Sequence, residues 1–572
     1  MAIHNTEIAA IFSKVANLLD IKGENPFRIR AYRNAARVIY GQSKSIAKMI
    51  EDNDDLTLLP GIGKDLAGKI KTIVQTGQLP LLTQMEKRLP PVLNELMQIE
   101  GLGPRRIQII YRKLKVKTSA DLKLAIEKGR LQKMKGFGDK IAQKILRGIE
   151  HVSQYSKRIK LADAFPIVDS IIHYLKQEKN ISKVECAGSF RRRKETVGDL
   201  DILATGKNPE KIIQHFVEFD EVENILSKGS TRSTVRLRSG IQVDLRVVAA
   251  KSYGAALLYF TGSKEHNIAI RRIALEKKLK INEYGVFKKT KQIAGQTETE
   301  SYRQVGLPYI DPELREDRGE IAAAKKNQLP KLITLNDIRG DLHCHTNATD
   351  GEATLEAMAR AAEQLGYEYI AITDHTKHLA MVHGLDKKRL MAQIKLIDKL
   401  NAKLKKIVIL KSIEIDILEN GSLDLPNEIL KELDLTVCSI HSKFNLPLNK
   451  QMQRIYRAMD NPYFTILGHP IGRLINRREA YQIDMEKIII AAKERGCCLE
   501  LNAQPDRLDL DDIHCKIAKE SGVKIAISSD AHSLAQLNYM SFGVFQARRG
   551  WLSASNVINT LSLSELCKML KR

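Results

Sequence analysis

Residues Gly188 to Asp201 read GSFRRRKETVGDLD, and the fold of the first half of the chain turns on this stretch. Asp199 and Asp201 stand two apart and run directly into the apolar Ile202 and Leu203. Side chains alternate faces along a strand, so this spacing aims both carboxylates at one side. A third carboxylate, Asp244, lies in the β-rich run IQVDLRVVA between Val243 and Leu245. Three carboxylates brought within about 4 Å repel one another by several kcal/mol per pair at an effective dielectric of roughly 20. Divalent cations remove that penalty, and hard oxygen ligands suit magnesium. Two magnesium ions on such a triad are the machinery of in-line phosphoryl transfer: one acidifies an attacking hydroxyl and the other holds the leaving pyrophosphate. Gly188 and Ser189 supply a tight turn and a hydroxyl for a triphosphate, and Arg192 supplies a charge to neutralise it. A DxD pair by itself is more often a solvated turn. Its union with GSxRR and a distant strand aspartate carries the reading.

Further along, after Asp341, short β-rich runs alternate with amphipathic helical stretches, the pattern of parallel strands with helical crossovers. Seven such runs occur: GDLHCHT, YIAITDH, IVILKSIEID, LTVCSIH, TILGHP, CCLELNAQ and KIAISSDAH. A histidine, acid or asparagine stands at or near the end of each: His343 and His345, Asp374 and His375, Glu414, His441, His469, Asn502, then Asp530 and His532. Asp350 follows in the loop after the first. Polar groups gathered at the carboxyl ends of successive parallel strands form the mouth of an α/β barrel. Imidazoles with a few carboxylates favour zinc, manganese or iron. Several such ions sharing one site activate water and clamp a phosphate, which describes a phosphoester hydrolase. Cys344, between His343 and His345, points to the opposite face and reads as core.

Towards the N-terminus the first 150 residues read as helical with short glycine breaks. GIGKDLAGKI, GLGPRRIQII and GFGDKIAQKI begin at Gly61, Gly101 and Gly136. The paired glycines (Gly61 and Gly63, Gly101 and Gly103, Gly136 and Gly138) let the backbone turn sharply and leave the next helix's amides facing outward, a surface that accepts a phosphate without reading a base. Over 572 residues the chain carries 92 Lys and Arg against 68 acids, a net charge of +24, which suggests a polyanionic partner such as nucleic acid. With 43% hydrophobic and 28% charged residues it is neither disordered nor fibrous. The length implies several domains. No apolar run approaches the roughly 18 residues needed to span a bilayer. The first twenty residues do not read as a signal peptide, and seven scattered cysteines without a CxxC pair suit a reducing cytoplasm.

GSFRR…GDLD resembles the nucleotidyltransferase superfamily, and the motifs downstream narrow the match. Tyr259-Phe260-Thr261-Gly262-Ser263, Asn267, Arg271, Asn282-Glu283-Tyr284 and YIDPELRE (Tyr309–Glu316) follow in the order seen in family X DNA polymerases, the DNA polymerase beta group. The glycine segments resemble helix-hairpin-helix DNA-binding motifs. HxH, TDH, the strand-end Glu, LGHP and SDAH together resemble the polymerase and histidinol phosphatase (PHP) domain, an appendage of bacterial and archaeal family X polymerases.

The resemblance implies a multidomain chain: a helical lyase-like, 5′-end-binding domain over 1–82, helical fingers over 83–150, an α+β nucleotidyltransferase palm over 151–250 and a thumb over 251–320. A linker over 321–338 and a distorted seven-stranded PHP barrel over 339–572 complete it. Asp199, Asp201 and Asp244 would bind two magnesium ions, with Asp244 nearest the primer 3′-hydroxyl. Ser189, Arg192 and Gly198 would hold the triphosphate. Tyr259, Phe260 and Gly262 would line the sugar pocket, and Asn267 and Arg271 would touch the minor-groove side of the nascent pair. His343, His345, Asp350, His375, Glu414, His441, His469, Asp530 and His532 would hold up to three manganese or zinc ions. Lys69 falls at the family's lyase nucleophile, but Asp65 replaces a neighbouring lysine there. A carboxylate raises a nearby lysine's pKa and opposes Schiff-base chemistry, so nucleophile and plain phosphate contact both stay open.

The expected activity is gap-filling repair synthesis, in base excision or end joining, on gapped or primer–template DNA with dNTPs. The PHP domain would add 3′–5′ exonuclease, abasic-site endonuclease and 3′-phosphatase activities. A cytoplasmic monomer without membrane contact fits this reading. The alternative is an RNA or small-acceptor nucleotidyltransferase fused to a phosphatase, and the glycine repeats and Tyr259–Ser263 argue against it.

Overall fold

In the helix Asn5–Lys22 the buried residues Ile8, Phe12, Val15, Ala16 and Leu19 recur every three or four positions, the spacing of a single helix face. The same logic places Leu66, Ala67, Ile70 and Ile73 on the inner face of Lys64–Thr76. With Pro26–Tyr40, Ile46–Glu51, Pro80–Arg88 and Ser119–Glu127 these helices enclose one apolar core. They belong to the first of two compact units, Met1–Arg158 and Ile159–Arg572. The structure, a computed structural model, describes residues 158–378 and 382–570. Of the first 157 it describes all but 1, 2, 4, 41, 43–45, 89–106, 108, 111–112, 115, 117, 135–136, 139–140, 143–144 and 147–157. Among the described residues no helix is long and apolar enough to cross a membrane.

The second unit begins with a five-stranded sheet. Its order is Ile181–Cys186, Asp199–Gly206, Gln242–Val248, Arg232–Leu237, Val222–Lys228. Only the Asp199–Gly206 and Gln242–Val248 pair is parallel. Alternation along these two strands sends Leu200, Ile202, Ala204, Val243, Leu245 and Val247 into the core with the helices Leu161–Lys176 and Pro209–Val217. Asp199, Asp201 and Asp244 are thereby left on the other face. The helices Tyr253–Thr261 and Lys264–Glu276 and the antiparallel strands Leu279–Asn282, Gly285–Lys288 and Lys291–Ala294 follow. The stretch expected as a linker is no free tether: it contains the helix Glu320–Lys325, buries Ala324, Leu332 and Ile333, and donates the Ile333 amide to the Leu552 carbonyl.

Every strand pair after residue 339 is parallel. Gly340–Cys344, Tyr369–Ile372 and Val408–Lys411 form one sheet; Glu414–Asp416, Val437–Ser439, Ile466–Leu467, Cys498–Asn502 and Ile525–Ser528 form another. The run expected as one strand, IVILKSIEID, is therefore divided between the two. Distant partners make the break: the Glu414 amide turns back to the Thr373 and Asp374 carbonyls, and the Ser412 hydroxyl donates to the Ile372 carbonyl. Bridges at His375–Glu414 and Cys344–Ala531 tie the two sheets together.

This C-terminal region packs against the loop that precedes the aspartate strand, the helix Leu161–Lys176 and the Glu316–Arg318 turn. Arg549, 5% exposed, donates to the Arg192 carbonyl, to Glu316 and to Asp512. Arg318 also bonds Asp512, and Arg473 bonds Glu195. Phe165 stacks on Phe545 at 5.8 Å between ring centroids, with the Arg193 guanidinium 4.4 Å from the Phe545 ring.

Candidate active sites

The parallel register sets Asp201 directly against Asp244 and Asp199 against Gln242. Asp244 is held by the Thr234 hydroxyl at 2.5 Å and the Gln242 amide at 2.9 Å. Burial, then the charges of Asp199 and Asp244, push the Asp201 carboxyl up to about 7. Carboxylates crowded this way repel one another, and their oxygens suit divalent ions. Gly188 sits under them with φ +61°, where a Cβ would stand 2.5 Å from Asp201 Oδ2. The Ser189 hydroxyl is buried with no hydrogen-bond partner among the described residues, as a group kept for a ligand would be. Gly198 is exposed at the entrance to the Asp199–Gly206 strand. Beside Asp244 opens a cavity of about 210 Å³ lined by Ser227, Arg232, Ser233, Thr234, Leu245 and Arg246.

Arg192 is already engaged: its guanidinium donates to the Thr261 carbonyl and to Glu316. It lies 3.2 Å from the position a Cβ on Gly262 would take, which brings the Gly188–Arg192 turn and the Tyr259–Ser263 segment together. Tyr259 and Phe260 meet edge to face at 5.0 Å. Arg271 lies over the first ring at 5.2 Å and Arg246 over the second at 4.7 Å. Asn267 is buried and donates to the Tyr259 carbonyl, so its side chain supports the Tyr259 backbone.

In the first unit, Gly61 has φ +76° and faces the Asn34 amide, where a Cβ would clash at 2.2 Å. Gly63 caps the helix Lys64–Thr76, and a Cβ at Gly63 or Gly138 would meet nothing within 4 Å. The start of the helix Lys64–Thr76 is thus uncovered at Gly63. Gly101, Gly103 and Gly136 lie outside the described residues. Lys69 pairs with Asp65 and lies 5.5 Å from the Tyr32 ring centroid. Partial burial disfavours its charge, but Asp65 and Tyr32 together more than offset this and the pKa is raised. That shift opposes the nucleophile reading of Lys69.

All nine expected ligands of the C-terminal site converge. His343 Nε2 and His345 Nε2 lie 3.1 Å apart. Glu414 is the hub: one oxygen lies 3.0 Å from His469 Nε2 and 3.1 Å from His441 Nε2, the other 3.0 Å from His375 Nδ1. Asp530 stands 3.1 Å from His345, and Asp350 bridges His375 at 3.3 Å and His532 at 3.4 Å. Three groups bring ligand atoms within 4.8 Å of one another and could each hold an ion: His345, Asp350, His375 and His532; His343, His345 and Asp530; His375, Glu414 and His441. Burial opposes charge on His441, yet Glu414 and Asp416 carry it up to about 10, while burial takes His345 down to about 4. Imidazoles and carboxylates forced into this much mutual compensation form a donor set for divalent ions. Cys344 is fully buried in the apolar core, as its alternation requires.

Three residues at this site are missing from the expected set, although Asp416 closes its own run. Glu500, two before the noted Asn502, accepts from His343 Nδ1 at 2.7 Å and from the His469 amide at 2.6 Å. Asp416 holds His441 Nδ1 at 3.1 Å. Arg507 comes from the following loop to 3.8 Å from Asp530. Glu500 shares a strand face with Asn502, so period-two alternation could have flagged it. Nothing local marks Arg507.

Residues 3–79 match the helix-hairpin-helix domain family, 93–150 the SAM-like helix-hairpin-helix tandem, 256–316 the DNA polymerase beta thumb and 341–504 the PHP domain. The DNA polymerase/3′-5′ exonuclease PolX of Bacillus subtilis (strain 168) is 38% identical over 574 residues, covering 100% of both chains. A probable phosphatase of Thermoanaerobacter sp. (strain X514) is 32% identical over 231 residues, 38% of this chain and 89% of that protein. DNA polymerase lambda of Rattus norvegicus is 26% identical over 346 residues, 55% of this chain and 56% of that protein.

Proposed function

The chain belongs to the family X DNA polymerases that carry a PHP domain, the family of the Bacillus subtilis polymerase/3′-5′ exonuclease, and from that premise we propose how its two clusters share the work. It is a DNA polymerase with 3′–5′ exonuclease activity. The proposed setting is gap filling in base excision or end joining, with abasic-site cleavage and 3′-phosphate removal as further tasks of the PHP domain. The domain boundaries, the closed barrel and a monomeric state are part of the same reading.

In the palm, Asp199, Asp201 and Asp244 would hold two magnesium ions. The burial of Asp201 and the charges of Asp199 and Asp244 beside it, which together push its carboxyl up to about 7, support this most directly. In the PHP domain the nine converging residues would hold up to three manganese or zinc ions. When bound, such ions acidify the attacking hydroxyl or water and stabilise the charge of the leaving group.

The residues do the rest. Ser189 offers its unpartnered hydroxyl to the triphosphate, and the open backbone at Gly198 admits it. The cavity beside Asp244, with the Arg232 and Arg246 guanidiniums and three hydroxyls, suits the sugar and phosphate of a primer end. Tyr259 and Phe260, each under an arginine, form a firm wall for the sugar. At the PHP site, Arg507 offers a cation to the phosphate beside Asp530. The two sites sit on different sheets and use different side chains.

Separable loss of activity tests the assignment. Asp201→Ala abolishes primer extension and spares 3′-end digestion on a one-nucleotide gapped duplex, and His343→Ala does the reverse. Loss of both activities from either change refutes independent clusters.

A further inference from the structure

Glu500 has no part in the nine-residue set, yet it is completely buried and both its carboxylate oxygens face the cluster. One accepts from His343 Nδ1 at 2.7 Å; the other accepts from the His469 backbone amide at 2.6 Å and from Asn502 at 3.3 Å. Among the described residues no lysine or arginine forms an ion pair with it, and a buried carboxylate is retained only where its charge is compensated. We propose that Glu500 is a positioning residue of the PHP metal centre. It would fix the tautomer and orientation of His343, pin the strand end that presents His469, and add negative charge that the ions balance. The proposal rests on the reading of the histidine cluster as a metal centre.

The geometry gives each part of this a reason. A hydrogen bond from Nδ1 places the proton on that nitrogen and turns the Nε2 lone pair inward, and His343 Nε2 is the atom that lies 3.1 Å from His345 and 3.4 Å from Glu414. Glu500 belongs to Cys498–Asn502, His469 follows Ile466–Leu467, and the two strands pair in register. One carboxylate therefore spans ligands delivered by two distant segments of chain. The expected ligands include only the carboxylates Asp350, Glu414 and Asp530, too few to neutralise several divalent ions. Glu500 adds to them without occupying a coordination position.

Glutamine is the informative substitution. It has the same shape but one acceptor and one donor, so it cannot accept from both His343 and the His469 amide. Metal-stripped protein is titrated with manganese by calorimetry, and the primer extension and melting temperature of the same preparations are recorded. Glu500→Gln is expected to weaken binding of at least one ion 10- to 100-fold. Its 3′-end digestion falls at low manganese and recovers in part at high manganese, while magnesium-dependent primer extension is unchanged. Affinities and ion number within twofold of the unaltered protein overturn the proposal, including the case in which only the melting temperature drops. If Glu500→Gln does not fold, Glu500→Asp decides: it keeps the charge but cannot reach both donors, so wild-type manganese binding by that variant also overturns it. If the unaltered protein binds no more manganese than a His343→Ala, His375→Ala double variant, the metal-centre reading itself fails.

Discussion

Replacing Gly188 with alanine tests whether the palm carboxylates work by position. The new Cβ would stand 2.5 Å from Asp201 Oδ2, so the oxygen must retreat by about 1 Å to reach ordinary contact. The Asp201 backbone cannot share the movement easily, because its carbonyl accepts from the Ala187 amide at 2.7 Å. The side chain therefore rotates away from the pocket it shares with Asp199 and Asp244. The positive φ adds about 1 kcal/mol of backbone strain for a non-glycine residue. A displacement of about 1 Å at a reacting group costs on the order of 100-fold in rate, or about 2.7 kcal/mol of transition-state stabilisation. Gly188→Ala should thus slow single-nucleotide insertion into a gapped duplex about 100-fold at saturating dNTP, with part of the loss recovered at high magnesium. Digestion of 3′ ends by the same preparation is the internal control and should be unchanged. Insertion within threefold of the unaltered enzyme, with a stable fold, would refute the claim that Asp201 needs the space above Gly188.

Other perturbations probe the junction and the first unit. Arg549→Met removes the buried cation shared by Glu316 and Asp512, but each acid keeps a second arginine, Arg192 and Arg318 respectively; a loss of about 3 kcal/mol, the low end for a broken buried pair, is expected in denaturant melts. The single tryptophan, Trp551, packs beside this junction, and its emission should report that loss. Burial works against charge on Glu316, yet Arg549 and Arg192 bring it down to about 2. A depressed carboxylate stabilises above its unfolded pKa of about 4.3, so the junction should loosen as pH falls from about 4.5 to 2 and hold above that window, read as a red shift of the same emission. Borohydride should trap no adduct between Lys69 and an abasic 5′ end at neutral pH, because its pKa is raised. Lys69→Ala should instead reduce the salt slope of binding to gapped DNA by about one.

The strand faces were legible without coordinates. Asp199 and Asp201 are two apart on one strand, and period-two alternation aims them at one side whatever the strand's neighbours are. Asp530 and His532 lie beyond the strand Ile525–Ser528, with Asp530 at φ +51°, so the loop and not strand alternation brings them to the cluster. Gly188 read from the sequence only as a tight turn for a triphosphate; that it leaves room for the Asp201 carboxylate is visible only in the fold. The single run IVILKSIEID concealed a break, because the Glu414 amide finds its partners on a strand about forty residues earlier. The stretch 321–338 read as a linker because its packing partner, Leu552, lies more than two hundred residues away.

Residue type and strand period, both local properties, mark which acids and imidazoles stand at or near strand ends. Only folding in three dimensions chose their supporting partners: Glu500 behind His343, Glu316 and Thr261 on Arg192, Arg549 between two acids. Those pairings join positions 37 to 233 apart along the chain, and no short-range pattern encodes which distant segment will arrive beside which. A buried charge must be compensated, but the sequence does not say by whom; the packing of the two sheets answers that.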